Sequence, residues 1–292
     1  MSGSAPSPMR WHGRELCWGE RTQVMAILNI TPDSFSGDGR AGLDPGEVAA
    51  AALQAVADGA DLLDMGAEST RPGHEPISAG EELARLLPAL RAVRAATGAL
   101  ISVDTWKAEV AEAALAAGAD LVNDVRGLAK DPEMAEVVAR AGVPAVVMHD
   151  IPPDGRGDVV TSVLRELSRR LDRAVAAGVA WELLIVDPGF GFGKDWRQNL
   201  ALLNRLDELK TLGRPILSGT SRKRTIGHVL GTPAEDRVEG TAATVAVAIA
   251  RGADIVRVHD VREMARVARM TDAIVRGPEG IEDQMPGPFT PA

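Results

Sequence analysis

Residues 108–125 read AEVAEAALAAGADLVNDV, and the order of parts in that stretch decides the fold. An alanine-rich helical segment is followed by Gly118, and a short apolar run over 121–123 comes directly after. Glycine is favoured just past a helix end because it takes the left-handed backbone conformation without a Cβ penalty. The same phrase recurs around Gly59, Gly98, Gly142, Gly178, Gly213 and Gly252, and three of the stops share the spelling Gly-Ala-Asp, at Gly59, Gly118 and Gly252. The runs that follow, at 62–66, 99–104, 121–123, 143–148, 183–187, 215–218 and 255–258, have the length and apolarity of strands buried on both faces. With an earlier run at 24–30 this predicts eight strands with helices between and after them.

Strands alternating with amphipathic helices imply a parallel sheet with right-handed crossovers, either closed into a (β/α)₈ barrel (a TIM barrel) or left open and doubly wound. The strand ends decide between them. Asn29, Asp64, Asp104, Asn123, His149, Asp187, Ser218, and Arg257 with His259 are polar groups at the carboxyl ends of apolar runs. A closed barrel gathers such ends at one mouth, whereas an open sheet scatters them. The expected fold is therefore a single-domain α/β barrel over residues 22–276, with a short N-terminal cover segment over 1–21 and a loose C-terminal tail over 277–292.

Composition sets wider bounds. The 292 residues are 45% hydrophobic and 25% charged, which is ordinary for a globular chain. Cys17 stands alone and has no partner for an internal disulfide, and the first eight residues contain no apolar signal core. No run of eighteen apolar residues occurs, so the expected location is cytoplasmic. A net charge of −9 argues against a general nucleic-acid coat but permits a local anion pocket.

The loops after the strands carry the chemistry. Asn29-Ile30-Thr31-Pro32-Asp33-Ser34-Phe35-Ser36 serves equally well as a turn. Glu68-Ser69-Thr70-Arg71-Pro72-Gly73 offers hydroxyls and a guanidinium on a backbone suited to reading an anion. Asp104 ends an apolar strand, so its carboxylate needs a partner, either a ligand or the first turn of the helix beyond it. Asp187-Pro188-Gly189-Phe190-Gly191-Phe192-Gly193-Lys194 lacks the spacing of a nucleotide phosphate loop, and Asp195 stands where a metal-binding hydroxyl belongs. Its glycines and two phenylalanines suit a flat heterocycle better. Loops seven and eight hold Arg222, Lys223, Arg224, Arg257 and His259 with the hydroxyls of Thr220 and Ser221, an anion site where barrels frequently bind phosphate.

Taken in order, these motifs resemble the dihydropteroate synthases over roughly residues 22–276. The resemblance rests on Asn-Ile-Thr-Pro-Asp-Ser-Phe-Ser, Glu-Ser-Thr-Arg-Pro-Gly, Val-Asp-Thr, Val-Asn-Asp-Val, Met-His, Asp-Pro-Gly-Phe-Gly-Phe-Gly-Lys, Ser-Arg-Lys and Arg-Val-His-Asp-Val. It implies an enzyme of folate biosynthesis, a homodimer and sulfonamide target, that joins a pterin methyl diphosphate to 4-aminobenzoate and releases pyrophosphate. It further implies that Asp104, Asn123 and Asp187 clasp the pterin, Met148 packs on its ring and Lys223 donates to its carbonyl and N5 side. Asn29, Thr70, Arg257 and His259 then hold the diphosphate, with Asn29 also a ligand of Mg²⁺, while Arg71, Ser221 and the 33–35 loop close over the aminobenzoate. Lys223, Arg257 and His259 are the expected catalytic residues.

The chain departs from the pattern at Ser36-Gly37-Asp38-Gly39, over the short stretch 149–160, and at Gln198, where a histidine is usual. Two alternatives remain: a pterin-dependent methyltransferase, which has no use for the Ser-Arg-Lys and Arg-Val-His anion grip, and a paralogue that binds pterin without catalysis.

Overall fold

The computed structural model describes residues 6–31, 44–69 and 75–277. A hairpin comes first: β1 (Met9–Trp11) pairs antiparallel with β2 (Arg14–Leu16). Its turn places His12 and Gly13 at φ 45° and 76°, the positive values that a two-residue hairpin loop requires. Then come β3 (Gln23–Asn29), α1 (Pro45–Ala57), β4 (Leu62–Gly66), α2 (Ala79–Ala96), β5 (Leu100–Asp104), α3 (Ala108–Ala116), β6 (Leu121–Asp124) and α4 (Met134–Ala141). The second half holds β7 (Ala145–Met148), α5 (Val159–Ala176), β8 (Leu184–Asp187), α6 (Trp196–Asn204), β9 (Leu217–Ser218), α7 (Arg224–Leu230), α8 (Val238–Ala250), β10 (Ile255–Val258) and α9 (Val261–Val275).

β3 to β10 form one parallel sheet in the order β8-β7-β6-β5-β4-β3-β10-β9. A parallel bridge between Val186 and Ile216, with the Val186 N–H donating to the Pro215 carbonyl at 2.9 Å, joins β8 to β9 and closes the ring. The expected barrel is the fold. Its interior is filled by Met25, Leu62, Leu121, Val146, Ile185, Leu217 and Ile255, all fully buried, so it is a packed core and not a channel.

The Gly-Ala-Asp repeat has a second use beyond stopping helices. Asp61 accepts the Val24 N–H at 2.8 Å, Asp120 that of Ile101 at 2.8 Å, and Asp254 that of Ile216 at 2.9 Å. Each aspartate thus satisfies a backbone donor at the entry of the strand beside its own, a donor that would otherwise be buried unpaired. The stop at Gly98 is different: α2 ends on Thr97 in extended conformation (φ −142°, ψ 149°), and Gly98 is not left-handed. Gly213 closes a 3-10 segment (Leu206–Leu212) and not an α-helix.

The hairpin packs at the strand-entry face. Trp11 Nε1 donates to the Asp120 carbonyl at 3.0 Å, Arg14 pairs with Asp120 at 3.2 Å, and Thr22 is tied through its backbone and hydroxyl to Asp272 at 2.7 and 2.8 Å. The opposite face is left to the loops that follow the strands.

Candidate active site

Register and strand alternation sort the strand-end residues. Asp104 lies level with Asn123, Met148 with Asp187, Asp64 with Ser102 and Arg257 with Met25. These alignments put Asn29, Asp64, Asp104, Asn123, Met148, Asp187 and Arg257 on the inner face. His149 and Ser218 are out of phase: Met148 faces inward, so His149 turns out toward α5, and Ser218 is level with outward Val256. His149 is fully buried, and burial with neighbouring Lys194 and Arg170 drives its imidazole down to about 3. It stays neutral outside the mouth.

A cleft opens at that mouth, lined by Asn123, Val125, Met148, Asp187, Phe190, Phe192, Gly219, Lys223 and Arg257. Five of the sequence-predicted residues therefore share one cavity, and Asp104 joins them through Arg257, whose Nη2 donates to Asp104 Oδ2 at 2.8 Å. Asp104 does not cap α3. Thr105 Oγ1 accepts the Lys107 N–H instead, and Asp131 accepts that of Ala108.

The wall of the cleft is the glycine–phenylalanine loop. A Cβ at Gly189 would sit 1.9 Å from the His149 carbonyl oxygen, and φ there is +69°, so only glycine lets this loop lie against the end of β7. Lys194 fastens it: Nζ donates to the carbonyls of His149, Gly189 and Phe192 at 3.2, 3.0 and 2.9 Å. Burial pulls this ammonium down to about 7, against the opposing pull of Asp187 and Asp150. Lys223 Nζ stands 4.5 Å over the Phe192 ring. Gln198, at the position of a family histidine, forms a capping box with Asp195 at the start of α6.

Charge in the cleft is tightly arranged. Arg257 Nε donates to Asp64 Oδ2 at 2.6 Å, and Asn123 Nδ2 donates to the same oxygen at 3.0 Å. Burial pushes Asp104 up to about 7 although Arg257 opposes it. Burial also raises Asp187, opposed by the Gly189 N–H that its Oδ1 accepts at 2.7 Å and by Lys223. Burial and Arg257 bring Lys223 down to about 8. His259 is lowered to about 3 by burial, Arg257 and Arg222, so at neutral pH it is a hydrogen-bonding group and not a cation. Its Nδ1 lies 3.0 Å from Ser221 Oγ.

Of the four cations expected in the last two loops, Lys223 and Arg257 line the cleft. Arg222 is paired with Asp260, and Arg224 is exposed in the first turn of α7. Asn29 ends β3 on the inner face and is partly exposed. Thr70, Arg71 and the 33–35 loop lie outside the described residues. Among the described residues after β4, Glu68 pairs with Lys107 at 2.5 Å, as does buried Glu82.

A barrel with an acidic and amide clasp beside a cationic rim defines a class of enzyme that holds a nitrogen-rich ring and an anion together. A profile of the pterin binding enzymes matches residues 25–259, and the chain belongs to that family. Within it the similarity is to dihydropteroate synthases. The Bacillus subtilis dihydropteroate synthase is 47% identical over 261 residues, covering 89% of this chain and 91% of that protein. The Clostridium difficile dihydropteroate synthase, crystallised in the presence of pteroic acid, superposes with a TM-score of 0.85 at 45% identity, over 89% of this chain and 99% of the other. The Xanthomonas albilineans enzyme with 4-aminobenzoic acid gives a TM-score of 0.86 at 42% identity, over 93% and 98%.

Proposed function

We propose that this chain is a dihydropteroate synthase, condensing 6-hydroxymethyl-7,8-dihydropterin diphosphate with 4-aminobenzoate to give 7,8-dihydropteroate and pyrophosphate. The observation that carries the reading is the single cleft lined together by Asn123, Asp187, Lys223, Arg257, Met148 and Phe190. It is supported by the Xanthomonas albilineans enzyme, solved both with 4-aminobenzoic acid and with 7,8-dihydropteroate.

The roles follow from donor and acceptor chemistry. Asp187 and Asp104 accept from the N–H groups of the amino-pyrimidinone edge, and Asn123 both accepts and donates. Met148 and Phe190 cover the ring faces, and Lys223 donates to the ring carbonyl and N5 side. As the carbon–oxygen bond to the leaving group breaks, positive charge builds on the pterin methylene and negative charge on pyrophosphate. Arg257 meets the latter with charge, and neutral His259 and Asn29 meet it with hydrogen bonds. Thr70 completes the diphosphate contacts, and Arg71, Ser221 and the 33–35 loop enclose the aminobenzoate, excluding water from the reactive carbon. The aromatic amine then attacks that carbon, and no covalent enzyme intermediate is needed.

Among the described residues no group of three His, Cys, Asp or Glu side chains is arranged to hold a metal. Asn29 at the mouth suits Mg²⁺, an ion that takes few protein ligands and completes its shell with phosphate oxygens and water. Bound there, Mg²⁺ would neutralise charge on the leaving pyrophosphate. No helix among the described residues is long and apolar enough to cross a membrane, which agrees with a cytoplasmic enzyme. Exposed Val229 and Leu230 on α7, Val247 on α8, and Met270 and Ile274 on α9 support a homodimer through these helices. The Yersinia pestis dihydropteroate synthase, solved with a sulfonamide drug and 39% identical to this chain, supports sulfonamide binding.

A coupled assay for pyrophosphate release, with both substrates and Mg²⁺, tests the reading. Turnover dependent on both substrates is expected. Pterin binding without turnover would instead favour the non-catalytic alternative.

A further inference from the structure

We infer that Asp64 is a positioning residue that couples the two halves of the site, one carboxylate oxygen orienting both Asn123 and Arg257. The inference rests on the assignment of Asn123 to the pterin and Arg257 to the diphosphate. Asp64 is level with Ser102, one inner layer below Asp104, and is completely buried. Its Oδ2 lies 3.0 Å from Asn123 Nδ2 and 2.6 Å from Arg257 Nε, while its Oδ1 is buried with no hydrogen-bond partner. An unpartnered carboxylate oxygen in a barrel core is costly. A residue chosen only for packing would be apolar here, as Leu62 and Leu63 before it are.

An ionised carboxylate accepts hydrogen bonds and donates none. Asn123 is therefore obliged to turn its NH₂ toward Asp64, which fixes its carbonyl oxygen on the other side and sets the polarity that the amide offers the ring. A neutral partner able to donate would let the amide flip. The same oxygen aims the guanidinium: Asp64 takes Nε and Asp104 takes one N–H of Nη2. This leaves Nη1 with no hydrogen bond among the described residues, on a side chain that lines the cleft. Asp64 thus directs Arg257 while tempering its charge. The free site does not hold anion too tightly, and the full benefit is kept for the leaving group as its charge develops.

The sign of this effect separates positioning from mere structural support. Asp64→Asn keeps an oxygen for both donors and removes the negative charge. Titration of the protein with magnesium pyrophosphate should show about three- to tenfold tighter binding in the variant, while kcat falls by about tenfold or more. Binding of 6-hydroxymethylpterin should weaken in both variants, because Asn123 is no longer held in one orientation, and by about tenfold in Asp64→Ser, which also shortens the tether. Should Asp64→Asn not fold, Asp64→Ser carries the pyrophosphate comparison alone.

Unchanged or weaker pyrophosphate binding in a folded variant would overturn the inference, provided Arg257→Ala weakens that binding. If Arg257→Ala leaves pyrophosphate affinity untouched as well, the assignment of Arg257 to the diphosphate fails, and this inference falls with it.

Discussion

Ser221 Oγ accepts the backbone N–H of His259 at 3.2 Å while lying 3.0 Å from Nδ1 of the same residue. A hydroxyl that accepts through a lone pair is free to give its hydrogen to Nδ1, which leaves the ring proton on Nε2. Since His259 is held down to about 3, it remains in that single neutral tautomer throughout the working range. The loop after β9 therefore sets which nitrogen the loop after β10 presents.

Replacing Ser221 by alanine should let the imidazole take either tautomer and rotate. The expected result is a fall of about tenfold in kcat, the order of one lost hydrogen bond, with pterin affinity held within about twofold. Steady-state kinetics beside direct pterin titration make the check. A loss of pterin affinity equal to the loss of kcat would remove the tautomer from the explanation.

Asp104 supplies a pH dependence. Its carboxyl is raised from its ordinary value to about 7, chiefly by burial. Between about pH 4 and 7 the folded chain therefore holds a proton here that the unfolded chain has already released, so this group's contribution to stability declines as pH rises through that window. The ionised form is the one that pairs with Arg257 and, on the proposed function, accepts from the pterin. Accordingly kcat/KM for the pterin substrate should rise with pH through about 7, reporting the free enzyme. In Asp104→Asn that step should vanish and overall activity should drop. A profile whose step survives the substitution assigns the titration to another group.

Lys194 gives a prediction about the wall. Its three carbonyl contacts hold the loop that carries Phe190 and Phe192. Lys194→Met keeps the aliphatic stem but takes the ammonium donor from the carbonyls of His149, Gly189 and Phe192, of which Gly189 keeps the Phe192 N–H, a cost of about 1–3 kcal/mol. KM for the pterin substrate should rise by about tenfold while kcat at saturation changes little, and Lys194→Arg should restore part of the loss. Equal effects of methionine and arginine would make the contribution one of volume alone.

These cases also mark what the sequence made legible. Asp104, Asn123 and Asp187 were readable because a carboxylate or amide at the end of an apolar strand demands a partner, and the repeated glycine stops gave the strands their count. The facing of β7 was not readable. Ala145, Val146, Val147 and Met148 are apolar on both sides, so alternation has no signal there, and His149 read as a rim residue although it turns outward. Asp64 was visible as a strand end, but its use depends on Arg257, 193 residues away. No local pattern carries that distance.

The Gly-Ala-Asp aspartates provide a stability test. The glycine of that phrase was legible as a helix stop, while the aspartate acts on the neighbouring strand. Asp254 Oδ2 accepts the Ile216 N–H at 2.9 Å, where β9 enters the ring beside its closing bridge to β8. β9 is only two residues long, Leu217–Ser218, so few ladder bonds back up that contact. Asp254→Ala leaves a buried N–H unpaired at the weakest seam of the barrel. A loss of about 1–3 kcal/mol in unfolding free energy is expected, read from the shift of a urea midpoint at constant m-value. Asp61→Ala, at the long β3, should lose less, because the seven-residue strand keeps its pairing to both β4 and β10, and the partly exposed ion pair with Arg21 that goes with Asp61 is worth little. If the two variants shift the midpoint equally, the seam between β8 and β9 is no weaker than the rest of the ring.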